Sequence, residues 1–258
     1  MDRVLEVMVE AARAGGEIAL AHFRRGGEVR LKPDGSPVTA ADCEAEEAIA
    51  EVLRAAFPEH GFLGEEAGAR GPAERRFIVD PIDGTRNFVR GIPLWATLLA
   101  LEEQGEVTAG IVHQPVTGTL HTARLGQGAF LDGRRLRVSR IAALGEATLL
   151  HATLGLLRRE GCWEAFLRLV DSTGQQRGFG DFLCYTLVAE GKGDIALAPG
   201  VKPWDLAALK ILVEEAGGRF TDMTGVPTIY SGTALATNGR LHAPALDLIR
   251  GRCEEPLA

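Results

Sequence analysis

Residues 77–85 read Phe-Ile-Val-Asp-Pro-Ile-Asp-Gly-Thr, the most informative stretch of this 258-residue chain. The apolar start predicts a buried strand that ends at Asp80, and Pro81 predicts a stiff turn after it. Asp80 and Asp83 would lie on one tight turn, where two carboxylates repel each other unless a cation lies between them. Oxygen ligands of this kind suit Mg²⁺, whose coordination is completed by water and substrate phosphate. The simpler alternative is an Asp-Pro turn followed by an Asx helix cap.

The two residues that follow Asp83 fit an anion-binding turn. Gly84 has no side chain, so the main chain can approach a ligand closely at this position. The amides of Gly84 and Thr85 would face an anion if a helix begins here.

Three further acidic positions have ordinary explanations when each is taken alone. Glu65 and Glu66 form a pair after a short apolar stretch, which is typical of a solvated surface. Asp205 opens an apolar helix, where it would serve as an N-cap with an aromatic staple before it. Asp42 follows Thr39 at the spacing of a capping box, with Thr39 as the N-cap.

The remaining sequence predicts an α+β fold. Apolar periodicity and turn residues predict helices over 3–23, 40–57, 160–170, 182–190, 205–216 and 241–250. They predict strands over 77–79, 95–101, 107–113, 119–123, 148–153, 194–198 and 233–237, with turns at the glycines of 126–133. Without repeats or a long linker, residues 1–258 are expected to form one domain. An antiparallel-sheet lobe would span about residues 1–145 and a mixed α/β lobe about residues 146–258.

Composition excludes several classes of protein. The formal net charge is −7, which argues against a broad basic face for nucleic acid. No apolar run approaches the roughly 20 residues of a membrane helix, and the N-terminus lacks a secretory pattern, so a cytoplasmic protein is expected. There is no G-x-S-x-G for a serine hydrolase, no Walker sequence and no complete dinucleotide fingerprint.

In their order along the chain, the motifs resemble the inositol monophosphatase family of lithium-sensitive, Mg²⁺-dependent phosphomonoesterases. The matching blocks are 38–42, 64–66, 80–88, 204–205, 215–218 and 236–238. The resemblance covers nearly the whole chain, and the nine residues of 80–88 are its most specific part. Residues 180–182 and 202–209 look most like the bacterial histidinol-phosphatase branch. The resemblance implies a layered αβαβα sandwich and a homodimer.

The resemblance also implies a role for individual residues, as ligands of two to three Mg²⁺ ions. Glu65, Asp80 and the main-chain carbonyl of Ile82 would hold the first ion. Asp80, Asp83 and Asp205 would hold the second, and Glu65 would reach a third, weaker ion through water. Thr85, hydrogen-bonded to Asp42, would orient the attacking water, with Glu65 as a further catalytic residue, and Lys32 would be the family's loop lysine. The substrate, a small phosphorylated metabolite, would contact Ile82, Asp83, Gly84, Thr85, Gly180, Asp181 and Asp205.

The identity of the substrate is the most open point. The family places an acidic substrate contact seven positions before Asp205, where this chain has Ala198. Asp181 is a candidate replacement, although it would also suit a helix N-cap. Inositol monophosphate and histidinol phosphate are the expected substrates. Arg177 and Lys202 could instead hold the second phosphate of fructose-1,6-bisphosphate or a nucleotide bisphosphate, or be ordinary surface cations.

Two other functional classes compete with this interpretation. A haloacid-dehalogenase-type phosphatase also has an Asp-rich motif after an apolar strand, but only one residue separates its two aspartates. Here Pro81 and Ile82 intervene, so no phospho-aspartate is expected. A non-catalytic partner in transcription, as in some family members, has no specific support in the sequence.

Overall fold

The computed structural model describes residues 2–26, 29–31 and 37–251. The helices in these residues are α1 (Arg3–Arg25), α2 (Ala40–Ala56), α3 (Thr85–Phe88), α4 (Leu154–Arg159), α5 (Trp163–Ser172), α6 (Asp181–Ala189), α7 (Pro203–Glu215) and α8 (His242–Ile249). The first ten strands are β1 (Val29–Leu31), β2 (Pro37–Thr39), β3 (Gly61–Gly64), β4 (Gly68–Arg70), β5 (Arg75–Asp83), β6 (Ala96–Glu103), β7 (Glu106–Gln114), β8 (Thr119–Arg124), β9 (Gly128–Leu131) and β10 (Arg134–Arg135). The others are β11 (Thr148–His151), β12 (Gln175–Arg177), β13 (Ile195–Pro199), β14 (Arg219–Thr221) and β15 (Thr233–Thr237).

Two large sheets contain most of these strands. The first has eight strands in the order β10-β9-β8-β7-β6-β5-β3-β4 and is antiparallel except where β3 runs parallel to β5. The second has five strands in the order β12-β11-β13-β15-β14; β11, β12 and β13 are parallel, and β15 runs against both β13 and β14. Strands β1 and β2 form a separate pair.

Successive side chains along β5 and β6 point to alternate faces of the first sheet, and helices pack against both faces. Phe77, Val79 and Leu99 pack against α1 and α2, whereas Ile78 and Leu98 pack on the opposite face against α6 and α7. Side chains of successive strand residues point to opposite faces, so a strand covered on both sides is apolar throughout. Residues 77–79 therefore form a short continuous apolar run.

The second sheet adds the last two layers. Its inner face shares one apolar core with α6, α7 and the first sheet. Its outer face packs against α4, α5 and α8, through side chains such as Leu157, Phe166 and Leu246. The order of layers is therefore helix, sheet, helix, sheet, helix, which confirms the expected α+β sandwich. Among the described residues, no helix combines the length and apolar content needed to cross a bilayer.

Several element boundaries differ from the sequence prediction. The strand expected to end at Asp80 continues through Pro81 to Asp83. Residues 128–131 form β9 within the predicted turn region. The helix expected over 160–170 is α5, which begins at Trp163, and the short helix α4 before it was not predicted. The short strands β3, β4, β12 and β14 were not predicted, because three or four residues carry too little periodicity.

Candidate active site

A bulge in β5 brings Asp80 and Asp83 to one face of the first sheet. Asp80 lies opposite Leu98 of β6 and Asp83 opposite Ala96, so Pro81 and Ile82 together face the single residue Thr97. In a regular strand, residues three positions apart point to opposite faces, and the extra residue of a bulge removes that difference. The two carboxylates can therefore share a ligand.

The bulge is held by hydrogen bonds at both ends. The hydroxyl of Thr97 donates to the main-chain oxygen of Pro81 at 2.9 Å, and the main-chain N–H of Ile82 donates to Asp80 Oδ1 at 3.0 Å. Ile82 itself is buried with Trp95 and Phe88. Asp80 and Asp83 are thus presented by rigid main chain.

The start of α7 supplies the third carboxylate. Oxygen atoms of Asp80, Asp83 and Asp205 all lie within 4.8 Å of one another. The sequence suggested Asp205 as the N-cap of α7, but Lys202 occupies that position. The Asp205 carboxylate instead accepts the main-chain N–H of Lys202 at 2.8 Å, which fixes its orientation.

Glu65 joins this group from the turn after β3. Gly64 pairs with Val79, and the main-chain N–H of Glu65 donates to the Val79 oxygen at 3.1 Å, so Glu65 lies beside the end of β5. Its negative charge raises the pKa values of Asp80, Asp83 and Asp205. Glu65 therefore belongs to the acidic cluster rather than to a solvated surface pair.

Burial and mutual repulsion make the acidic cluster unfavourable as a set of free anions. Burial is the main cause that raises the pKa of Asp80 and of Asp83 well above the usual range of a carboxyl group. Loss of solvation likewise raises the pKa of Asp205 to about 7. Neighbouring carboxylates add to each shift, Asp42 among them for Asp80. Divalent cations would neutralise this repulsion, and an all-oxygen donor set fits Mg²⁺.

Helix α3 begins directly after the bulge, at the position where the sequence predicted an anion-binding turn. Gly84 is its N-cap, with φ of 91° in the left-handed region. A side chain at Gly84 would place its Cβ 2.9 Å from the Leu94 oxygen. Asp83 is therefore not an Asx cap of α3; its Oδ2 accepts the main-chain N–H of Phe182 at the start of α6.

The hydroxyl of Thr85 makes a hydrogen bond within its own turn. It donates to the main-chain oxygen of Ile82 at 3.0 Å, within the same turn. Asp42 is buried in the first turn of α2 and close enough to raise the pKa of Asp80. A hydrogen bond between Thr85 and Asp42 remains a prediction.

The start of α6 places Asp181 at the edge of the acidic cluster. Gly180, not Asp181, is the N-cap, which corrects the N-cap alternative for Asp181. Asp181 has φ of 52°, an unusual value for a residue with a side chain. Loss of solvation raises the pKa of Asp181 to about 6, against the opposing charge of Arg86, although part of the residue remains exposed.

One contact in this region involves a residue without a predicted role. Asn87 lies within the nine-residue block, and its side-chain amide donates to the Leu94 oxygen at 2.9 Å and to Asp181 Oδ2 at 3.3 Å. The only sequence signal for Asn87 was its place in that block. Lys32 lies outside the described residues, as does the side chain of Thr39, although Thr39 directly precedes α2.

Comparison with known proteins identifies the family of this chain. The model of the inositol monophosphatase family matches residues 1–252. A histidinol-phosphatase from Mycobacterium tuberculosis is 44% identical over an alignment of 250 residues, which covers 93% of this chain and 96% of that protein. An inositol-1-monophosphatase from Mesorhizobium japonicum is 36% identical over an alignment of 263 residues, which covers 96% of each chain.

A solved structure supports the same assignment. The extragenic suppressor protein SuhB from Bartonella henselae superposes with a TM-score of 0.90 at 33% identity, covering 96% of this chain and 99% of that one. The chain therefore belongs to the inositol monophosphatase family and is a phosphoric monoester hydrolase.

Proposed function

We propose that this enzyme hydrolyses histidinol phosphate with two to three Mg²⁺ ions. The proposal rests on the converging carboxylates of Asp80, Asp83 and Asp205, and on the additional acid Asp181 beside them. Relatives named histidinol-phosphatase, from Mycobacterium tuberculosis and others, support this choice of substrate.

The residues of the acidic cluster would divide into two ligand sets. Glu65, Asp80 and the Ile82 carbonyl would hold one ion, and Asp80, Asp83 and Asp205 a second. Glu65 would also reach a third ion through water. Bound Mg²⁺ would activate a water molecule and neutralise charge on the phosphoryl group.

Around these ligands the chain would position the other reactants. The amides of Gly84 and Thr85, at the start of α3, would donate to the phosphoryl oxygens. In the ligand-bound enzyme the Thr85 hydroxyl would turn from the Ile82 oxygen and donate to Asp42, so that its own oxygen accepts a hydrogen bond from the attacking water. When the water attacks and the bond from phosphorus to the alcohol oxygen breaks, the proton of the water would pass through this hydrogen bond to Asp42, and the departing alkoxide would take a proton from solvent.

The choice of histidinol phosphate as the substrate rests on Asp181. Histidinol phosphate is a phosphate monoester that also has an ammonium group and an imidazole, whereas inositol phosphate has only hydroxyl groups besides its phosphate. With Ala198 at the family's usual acidic position, Asp181 supplies a negative charge next to the metal ligands. Asn87 holds its carboxylate, so the charge is available in a fixed place for the substrate's cation.

Kinetics with two substrates test this assignment. We expect kcat/KM for histidinol phosphate to exceed that for inositol-1-phosphate, and Asp181→Asn to reduce that ratio by about tenfold, since a charge-assisted hydrogen bond contributes about 1.5 kcal/mol. An effect of Asp181 on the metals would change kcat/KM for both substrates by the same factor and would cancel in the ratio. Asp171→Asn, on the exposed side of α5, is the matched control.

Contrary results would point to the other candidates. A preference for inositol-1-phosphate, or an unchanged ratio in Asp181→Asn, would contradict the assignment. Fructose-1,6-bisphosphate belongs in the same assay, because Arg177 and Lys202 remain candidate contacts for a second phosphate. No turnover of any monoester would favour the non-catalytic alternative.

We also propose that the enzyme is a homodimer, as the family resemblance implies, and that it works in the cytoplasm. Light scattering on the purified chain would give the mass directly. A monomer at micromolar concentration would contradict the dimer.

A further inference from the structure

Glu46 of α2 is a buried carboxylate that is not itself part of the acidic cluster. It is 3% exposed. Its Oε2 accepts the main-chain N–H of Glu66 at 2.9 Å, and its Oε1 accepts that of Ala67 at 2.6 Å. Both carboxylate oxygens therefore bind the turn that carries Glu65.

The approach of Glu46 to this turn requires a glycine. A Cβ on Gly64 would lie 2.4 Å from Glu46 Oε2 and 2.5 Å from its Cδ, distances at which the carboxylate has to move. Gly64 does not have a positive φ, so glycine is needed here because it lacks a side chain and not because of its backbone conformation. The glycine before Glu65 and the acid on α2 thus form one unit.

Hydrogen bonds fix the main chain on both sides of the Glu65 side chain. The N–H of Glu65 is bound to the Val79 oxygen of β5, and the next two N–H groups are bound to Glu46. Val79 directly precedes Asp80, so the first anchor ties Glu65 to a metal ligand. The second ties it to α2, which packs on β5 through Ile49 and Leu53.

We propose that Glu46 is a positioning residue: acting through the main chain of 65–67, it holds the Glu65 carboxylate at the metal site. This inference rests on the proposed Mg²⁺ site. A ligand on a turn would otherwise lose affinity, because each ion would have to order that turn on binding. Groups that orient metal ligands typically contribute 10–100-fold to metal affinity.

Calorimetric titration of the metal-free full chain with Mg²⁺ tests the proposal without relying on activity. We expect Glu46→Ala to weaken Mg²⁺ binding by about 10–100-fold. Glu46→Gln keeps the volume and one acceptor oxygen, so its loss should be intermediate. Gly64→Ala leaves Glu46 in the sequence but displaces its carboxylate, and should resemble Glu46→Ala.

Glu47→Ala is the matched control, since this neighbour is largely exposed and pairs with Arg54 at the surface. It should bind Mg²⁺ as the unmodified chain does. A merely structural role of Glu46 would lower the melting temperature and leave the Mg²⁺ affinity of the folded protein unchanged, so both are measured for every variant.

The outcomes distinguish a failure of the proposed role of Glu46 from a failure of the proposed metal site. If the unmodified chain binds Mg²⁺ and folded Glu46→Gln or Glu46→Ala binds it equally well, the positioning role is wrong and the metal site stands. If the unmodified chain binds no Mg²⁺, the metal site itself is wrong, and the role of Glu46 with it. A graded loss from Gln to Ala, with Glu47→Ala unaffected, supports the proposal.

Discussion

Asp83 and Asp205 combine two roles, which makes their replacement informative at the scale of single residues. Each accepts a main-chain N–H at the start of a helix, from Phe182 and Lys202 respectively. Each also has a raised pKa because burial and neighbouring acids oppose its charge. An asparagine keeps an oxygen for the N–H bond and removes the charge. Replacement should therefore remove metal binding without removing the local structure.

We expect Asp83→Asn and Asp205→Asn each to lower kcat/KM by at least about 1000-fold, because a charged ligand of the activating metal is lost. The melting temperature of the metal-free protein should stay the same or rise, since a buried like-charge repulsion is relieved. Phosphate release and thermal unfolding measure the two effects. Near-normal activity in both variants would contradict the metal assignment.

The members of the acidic cluster could be predicted from the sequence, whereas their hydrogen-bond partners could not. Asp80 and Asp83 stand out because two acids on one turn need a cation, and the family resemblance added Glu65 and Asp205. The N-H group that Asp83 accepts is 99 residues away in sequence. Which helix end an acid caps depends on such distant contacts, so local cap patterns gave the wrong position for Asp181 and Asp205.

At the scale of elements, the bulge in β5 determines whether the acids meet. The sequence predicted that the strand stops at Asp80, because Pro81 has no N–H for the ladder. The strand continues because a bulge tolerates proline. Its pairing with Thr97 of β6 is a property of two strands together, and the 77–85 stretch alone contains no sign of it.

Thr97→Val tests the bulge. The change keeps the shape of a fully buried side chain but leaves the Pro81 oxygen without its donor, which should cost about 1–3 kcal/mol in the free energy of unfolding. Mg²⁺ affinity should fall as well, because Asp80 and Asp83 flank the released segment. Chemical denaturation and calorimetry measure these. Thr122→Val on β8 is the control; an equal effect there would show that the bulge has no special role.

At the scale of the whole molecule, the middle helical layer brings the site together. Helices α6 and α7 lie in the core between the two sheets, and their starts carry Asp181 and Asp205 to the bulge of the first sheet. Periodicity predicted these helices within one or two residues, but not their place between sheets. The layer order followed from the family resemblance alone. The division into lobes near residue 145 stays a prediction that limited proteolysis would test.

The outer layer is joined to the second sheet by a buried histidine of α8, His242. Its two ring nitrogens lie 3.0 Å from the Thr221 hydroxyl and 3.1 Å from the Thr237 hydroxyl. The Thr221 hydroxyl donates to the Asp222 oxygen, so it accepts from Nε2–H, and Nδ1 is left to accept from Thr237. A neutral ring satisfies both partners. Burial, with the nearby charge of Arg219, lowers the pKa of His242 to about 4.

This histidine should make the stability of the whole molecule depend on pH. Between about pH 4 and 6.5 the His242 side chain is protonated in the unfolded chain but not in the folded one. The free energy of unfolding therefore falls as the pH is lowered through this range. The fall reaches about 3 kcal/mol at pH 4. His242→Gln can bind both threonines without titrating, and should lack this part of the fall. His113, whose pKa burial also lowers, is present in both proteins and cancels in the comparison. Denaturant unfolding of both proteins at pH 7 and pH 4.5 measures the difference. Parallel losses of stability would show that folding does not lower the pKa of His242.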